Sequence, residues 1–164
     1  MRKILFGVKN REVSEEIANE IPLEVWQDPQ RDVVLQISEN KCCVYFGCWD
    51  ENGEPADFLA KLTFDCKEAK YIKSDYVPYK MKEFNNRSCI FIVENSYWLK
   101  DYIERRIKRN PQIKNPEKTL DDKLLSHYVI KGHDVYVELI AGGYILERIP
   151  SDRVGDLKYL IYNA

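Results

Sequence analysis

The sequence predicts an α+β fold dominated by a mostly antiparallel β-sheet. Short apolar runs recur along the chain between turn signals, and several alternate apolar and polar residues with the period of two that is typical of strands. Only residues 97–109 carry a strong helical period. We therefore expect a curled sheet or sandwich of about nine short strands, with one amphipathic helix packed on it.

The length of 164 residues predicts a single globular domain over 1–164. A chain of this size buries about 70% of its unfolded surface, which is enough for a core without metal or disulfide support. An apolar fraction of 45% and an aromatic fraction of 12% exclude a disordered chain.

The residues before the helix at 97–109 predict one short helix among several strands. Residues 13–20 predict a helix that Ser14 would cap, with Ile17 and Ala18 facing inward. Asn52 and Gly53, followed by Pro55, predict a loop after the apolar residues 42–49. The strands predicted before the helix at 97–109 are 2–8, 23–26, 33–37, 42–49, 58–65, 69–74 and 89–93.

A helix is predicted over residues 97–109 because Leu99, Ile103 and Ile107 are spaced by four. Asn95 or Ser96 would cap its start, and the basic residues at its end complement the helix dipole. Residues 110–123, which contain two prolines, predict a long and mobile loop.

The last third again predicts strands, at 124–130, 135–141 and 144–149. A hairpin turn is expected at 131–134, a break or bulge at Gly142 and Gly143, and a short helix near 157–161. One core is expected to contain Val44, Phe46, Phe64, Phe91, Trp98, Leu99, Ile103, Val129, Val137 and Leu139.

Charge and hydropathy exclude several classes of function. With 25 Lys and Arg against 27 Asp and Glu, the net charge is −2, which argues against a nucleic-acid-binding protein. No apolar run is long enough to span a bilayer, so no membrane partner is expected. The apolar stretch 4–8 is shorter than the core of a signal peptide, and a cytoplasmic location is expected.

The five cysteines predict neither a zinc site nor a disulfide framework. Cys42 and Cys43 are adjacent, so their side chains lie on opposite faces of a strand, and the chain has no Cys-x-x-Cys pair. The acidic residues after Trp49 do not match a calcium loop, because Gly53 and Pro55 occupy the wrong positions. No metal and no cofactor are expected, since glycine-rich phosphate loops are also absent from the sequence.

Nucleophilic catalysis would require a cysteine or serine near a histidine and an orienting acid. A cysteine together with His133 and Asp134 supplies these residue types, although a Gly-His-Asp sequence is more typical of a turn. His127 lies within a predicted strand and is more typical of a hydrogen-bonded core residue. We assign no catalytic residue, and a small Cys- or His-dependent hydrolase remains the alternative hypothesis.

Residues 127–141, together with Glu94, Asn95, Ser96, Trp98 and Leu99, resemble a group of small uncharacterised bacterial proteins. Some members of this group are encoded near contact-dependent or polymorphic toxin genes and are regarded as immunity-type proteins. The resemblance covers about 45 residues and implies a stand-alone cytoplasmic domain that binds a protein partner. It supplies no catalytic residues.

The leading hypothesis is therefore a non-enzymatic protein-binding module that neutralises a bacterial toxin. Its predicted partner-binding residues form one acidic loop beside an aromatic side chain, where carboxylates would attract a basic surface and the aromatic ring would anchor it. They are Trp49, Asp50, Glu51, Glu54 and Asp57.

Overall fold

A computed structural model describes residues 15–39, 41–82 and 88–150. Within these residues, one helix, α1 (Tyr97–Arg109), follows the seventh of nine strands. The strands are β1 (Ile17–Glu20), β2 (Trp26–Gln27), β3 (Val34–Ser38), β4 (Lys41–Trp49), β5 (Pro55–Lys73), β6 (Lys80–Met81), β7 (Ile90–Glu94), β8 (Ser126–Lys131) and β9 (Val135–Pro150).

All nine strands of the described residues belong to one open sheet, in the order β2-β4-β5-β9-β8-β7-β1-β6, and β3 also pairs with β4. Strands β1 and β6 are parallel, and the other pairs are antiparallel. This confirms the predicted strand-dominated class and the mostly antiparallel sheet.

Two long strands form the centre of the sheet, which the sequence did not predict. Strand β5 has 19 residues and β9 has 16, and they pair along most of their length. The register shifts around Cys66, and Gly143 adopts a φ of 115°. The prediction of uniformly short strands was wrong because bulges interrupt side-chain alternation without ending the ladder.

The helix predicted over residues 13–20 was also wrong where it can be compared. Residues 17–20 form β1, in which Ala18 is fully buried and lies opposite Val93 of β7. Pairing with β7 therefore overrides the weak local helical pattern. Ser14, the strand predicted at 2–8 and the helix predicted near 157–161 lie outside the described residues.

Helix α1 has the predicted bounds, 97–109. Ser96 caps it, because its Oγ accepts a hydrogen bond from the backbone N–H of Leu99 at 3.0 Å. Arg106, Lys108 and Arg109 lie in its last turn, where positive charge complements the helix dipole.

The predicted core is divided between the two faces of the sheet. On the first face, Val44, Phe46, Phe64, Val137 and Leu139 are buried in one large apolar cluster. On the opposite face, a smaller cluster contains Phe91 and Val129.

The expectation that Trp98, Leu99 and Ile103 belong to the buried core was wrong. All three are only partly buried, and no residue of α1 is fully buried. The physical reason is that α1 covers polar side chains of the sheet, which are described below.

Candidate functional site

The predicted partner-binding residues lie together at the β4–β5 hairpin, whose loop is residues 50–54. The Asp50 carboxylate accepts hydrogen bonds from the backbone N–H groups of Asn52 (2.8 Å) and Glu54 (3.0 Å). Gly53 adopts a φ of 78°, which favours glycine. These hydrogen bonds, with Glu54 first, hold the pKa of Asp50 below its usual value. The loop conformation is therefore fixed by its own side chain.

Trp49 packs against a second tryptophan at the base of this loop. Trp26 of β2 lies opposite Trp49 in the sheet, and the ring centroids are 5.3 Å apart in a T-shaped arrangement. Both side chains are half-buried. Sequence reasoning did not include Trp26, because strand pairing rather than sequence proximity brings it to Trp49.

The remaining acidic residues of the hairpin, Glu51, Glu54 and Asp57, are exposed. Across the described residues, none of the three forms an ion pair, and residues 49–57 contain no Lys or Arg. The five predicted residues thus share one hairpin, but they differ in role. Asp50 holds the loop, whereas the other three carboxylates face solvent.

A second group of polar residues is buried between α1 and the sheet. His127 of β8 is fully buried, and its Nδ1 lies 2.8 Å from Oγ of Ser96, which is 4% exposed. Because this Oγ already accepts the N–H of Leu99, its own proton is available to Nδ1. When Ser96 donates this proton, the ring proton of neutral His127 is on Nε2.

Glu138 of β9 faces the other nitrogen of His127. Its Oε1 lies 3.9 Å from His127 Nε2, which has no hydrogen-bond partner within the described residues. The same Oε1 accepts a 2.5 Å hydrogen bond from the hydroxyl of Tyr79, and Lys70 Nζ donates to Oε2 at 3.4 Å. Burial, followed by the charge of Lys70, lowers the pKa of His127 from 6.5 to about 3.

Trp98 connects this buried group to the helix surface. Its ring contacts His127 edge-on, with centroids 5.0 Å apart, and Lys70 Nζ lies 3.6 Å from the ring centroid. Its Nε1 donates to Glu68 Oε2 at 2.9 Å, and Arg105 binds both Glu68 oxygens at 2.6 and 3.0 Å. The Arg105 guanidinium is the main reason that the pKa of Glu68 is lowered.

We call Ser96, His127, Glu138, Lys70, Trp98, Glu68 and Arg105 the α1 network. Sequence reasoning identified Ser96 as a cap and His127 as a core residue, but it missed the two glutamates and Lys70. A signal was present, since Glu138 is a charged residue within the apolar run 135–141. Ser96, His127 and Glu138 have the residue types of a hydrolytic triad, yet none is more than 4% exposed.

The residues of the hydrolase hypothesis do not come together. His133 lies on the exposed β8–β9 turn, with Nδ1 2.9 Å from Asp134 Oδ1. Among the described residues, no cysteine hydrogen-bonds to either histidine. Burial raises the pKa of Cys48 and of Cys89 to about 11, so both thiols are protonated at neutral pH.

No three His, Cys, Asp or Glu side chains of the described residues converge in a way that could hold a metal ion. The described chain also lacks a helix with the length and apolar character needed to cross a membrane. No protein-family model, curated protein or solved structure matches this sequence or its fold.

Proposed function

We propose that this protein is a non-enzymatic, cytoplasmic protein-binding module that recognises a basic surface on its partner through the β4–β5 hairpin. A bacterial toxin with a basic active cleft is the partner class that we favour, so that binding neutralises the toxin. The hairpin carboxylates attract the partner, and Trp49 anchors it.

One observation carries this proposal: Glu51 and Glu54 are exposed on a loop whose conformation is already fixed by Asp50, and Asp57 is exposed beside it at the start of β5. A preorganised loop loses little conformational entropy on binding. Within the described residues these three carboxylates form no ion pair, so their negative charge is available to accelerate encounter with a basic surface.

The half-buried tryptophan pair supports the same surface. Trp49 and Trp26 offer a rigid aromatic area beside the carboxylates, and tryptophans are frequent among the residues that dominate binding energy. The histidines favour binding over hydrolysis, because His127 is fully buried and the ring of His133 contacts the exposed Asp134.

The test begins with affinity capture of a partner, which is then purified for kinetic measurement. The hairpin variant Glu51→Gln, Glu54→Gln, Asp57→Asn removes the free carboxylates and leaves Asp50 in place. We expect its association rate constant to be about tenfold lower at low ionic strength, with a weaker dependence on salt. Stopped-flow tryptophan fluorescence across a salt series provides the measurement.

A matched control is Glu39→Gln, Asp75→Asn, Glu104→Gln, which removes the same charge from exposed positions elsewhere. This control should associate at nearly the native rate. Equal rates for the hairpin variant, the control and the native chain would reject the hairpin as the binding surface. Growth of toxin-expressing cells should be rescued by the native chain and the control, and less by the hairpin variant.

A further inference from the structure

Two cysteines lie near each other on one face of strands β4 and β5. Cys42 pairs with Phe64, and Cys66 lies two positions further along β5, so both side chains contact the large apolar cluster. Cys42 is buried and Cys66 is partly buried. A side-chain hydrogen bond joins the two thiols, and it lowers the pKa of Cys42. This favours the thiolate form, from which thiol oxidation begins.

Cys66 lies at an irregular point of β5, between two register shifts against β9. Such bulges bend a strand and increase its local twist. In a regular ladder, diagonal neighbours are about 7–8 Å apart, which is slightly too far for a disulfide. The hydrogen bond between the thiols indicates that the irregular geometry at Cys66 brings the two sulfurs nearer.

The other three cysteines, all within the described residues, are in different surroundings. Cys43 is adjacent to Cys42 but lies on the opposite face of β4, where its Sγ is 3.7 Å from Oγ1 of Thr63. Burial raises the pKa of Cys48 and of Cys89 to about 11, so both remain protonated. Cys42 and Cys66 are therefore the pair that oxidation selects.

We propose that Cys42 and Cys66 form a reversible disulfide when the protein is exposed to hydrogen peroxide, and that this bond weakens the attachment of α1. One sulfur attacks the O–O bond of the peroxide and becomes a sulfenic acid, and its proton leaves in a molecule of water. The other sulfur displaces the hydroxyl group, which leaves with the second proton as a second water. One S–S bond forms, and the two electrons that the sulfurs lose reduce the peroxide.

The disulfide acts on α1 through Glu68. In the reduced protein, the thiol of Cys66 donates a hydrogen bond to the backbone carbonyl of Glu68 at 3.3 Å. The Glu68 carboxylate in turn binds Trp98 and Arg105 of α1. A disulfide has no S–H group, so Glu68 loses this donor on oxidation. Because α1 has no fully buried residue, its attachment depends on such polar contacts.

Counting free thiols tests the disulfide. The full chain is treated with hydrogen peroxide, unfolded in iodoacetamide and mapped by peptide mass spectrometry. We expect the number of alkylated cysteines to fall by two from five, with Cys42 and Cys66 in one linked peptide pair, and dithiothreitol to restore all five. The control Cys43→Ser should form the same bond. Five free thiols after treatment, or a bond between any other cysteines, would overturn the proposal.

Amide hydrogen exchange tests the effect on α1. Exchange in residues 97–109 should be about threefold faster in the oxidised chain than in the reduced chain, as expected for the loss of one weak hydrogen bond. Cys66→Ser is the matched variant, because its hydroxyl can still donate to the Glu68 carbonyl but cannot form the disulfide. Its exchange should not respond to peroxide. Equal exchange in the oxidised and reduced native chains, or an equal response in Cys66→Ser, would overturn the effect on α1.

Discussion

Residues 127–130 of β8 and 135–141 of β9 are buried on both faces of the sheet, but only one of the two faces carries buried ionisable side chains beside its apolar ones. Tyr128, Ile130, Val137 and Leu139 point into the large apolar cluster on one face. On the other face, His127 and Glu138 are buried beside the smaller cluster that contains Phe91 and Val129. Apolar side chains stabilise the sheet through the area that they bury, whatever the direction of their contacts. Each buried polar atom, in contrast, needs a hydrogen-bond partner.

This difference shows how α1 is attached to the sheet. The helix has no fully buried residue, and it contacts the sheet through Trp98 and Arg105, which bind Glu68, and through the cap residue Ser96, which binds His127. Hydrogen bonds contribute less net stability than apolar burial, but they fix the position of the helix because their geometry is specific. We therefore expect the apolar face to dominate stability and the α1 network to determine the placement of α1.

The largest expected effect is on the apolar face. Phe64 is fully buried and contacts the rings of Tyr128 and Tyr144. Phe64→Ala should lower the free energy of unfolding by about 3–5 kcal/mol, measured by urea denaturation. The control Ile37→Ala, at an exposed position, should change it by less than about 0.5 kcal/mol. A loss below about 1 kcal/mol for Phe64→Ala would contradict the expectation that the apolar face contributes most of the free energy of unfolding.

An intermediate effect is expected from the titration of His127. Its pKa is about 3 when folded and about 6.5 when unfolded, so only the unfolded chain gains this proton as the pH falls below 6.5. The contribution of His127 to the free energy of unfolding should have its full value above pH 6.5. Below that pH, the free energy of unfolding should decrease by up to about 1.4 kcal/mol per pH unit, down to about pH 3. Urea denaturation between pH 7 and pH 5 should therefore show a loss of about 2 kcal/mol.

The variant His127→Gln separates this titration from other groups. It should be less stable than the native chain at pH 7, and its stability should depend only weakly on pH between 7 and 5. Carboxylates with lowered pKa values, such as Glu68, contribute only at lower pH. If the pH dependence of the variant equalled that of the native chain, the titrating group would not be His127.

The smallest expected effect is at the helix cap. Ser96→Ala removes the acceptor for the N–H of Leu99 and the hydroxyl that contacts His127, so we expect a loss of about 1–2 kcal/mol. Ser96→Thr keeps the hydroxyl and should recover most of this loss. Amide hydrogen exchange should show increased exchange in α1 for Ser96→Ala, while the apolar face remains protected. Uniform loss of protection would show that the two faces unfold together.

Local patterns predicted several elements well. The four-residue spacing and the cap residue Ser96 gave the helix 97–109, and the turn residues after Trp49 gave the β4–β5 hairpin. These succeeded because capping and turn formation depend on residues close in sequence. Residues 17–20 were predicted incorrectly because β1 is formed by pairing with β7, about 75 positions away.

The sequence by itself determined the strand-dominated class, the helix and the acidic hairpin, because hydrophobic period, capping and charge clustering are local properties. Tertiary structure alone decided that β5 and β9 continue through their bulges and that Trp26 meets Trp49. It also decided that His127 of β8 lies between Ser96, the cap residue of α1, and Glu138 of β9. Residues on different strands become neighbours only when the register is set, and the register depends on the packing of the whole sheet.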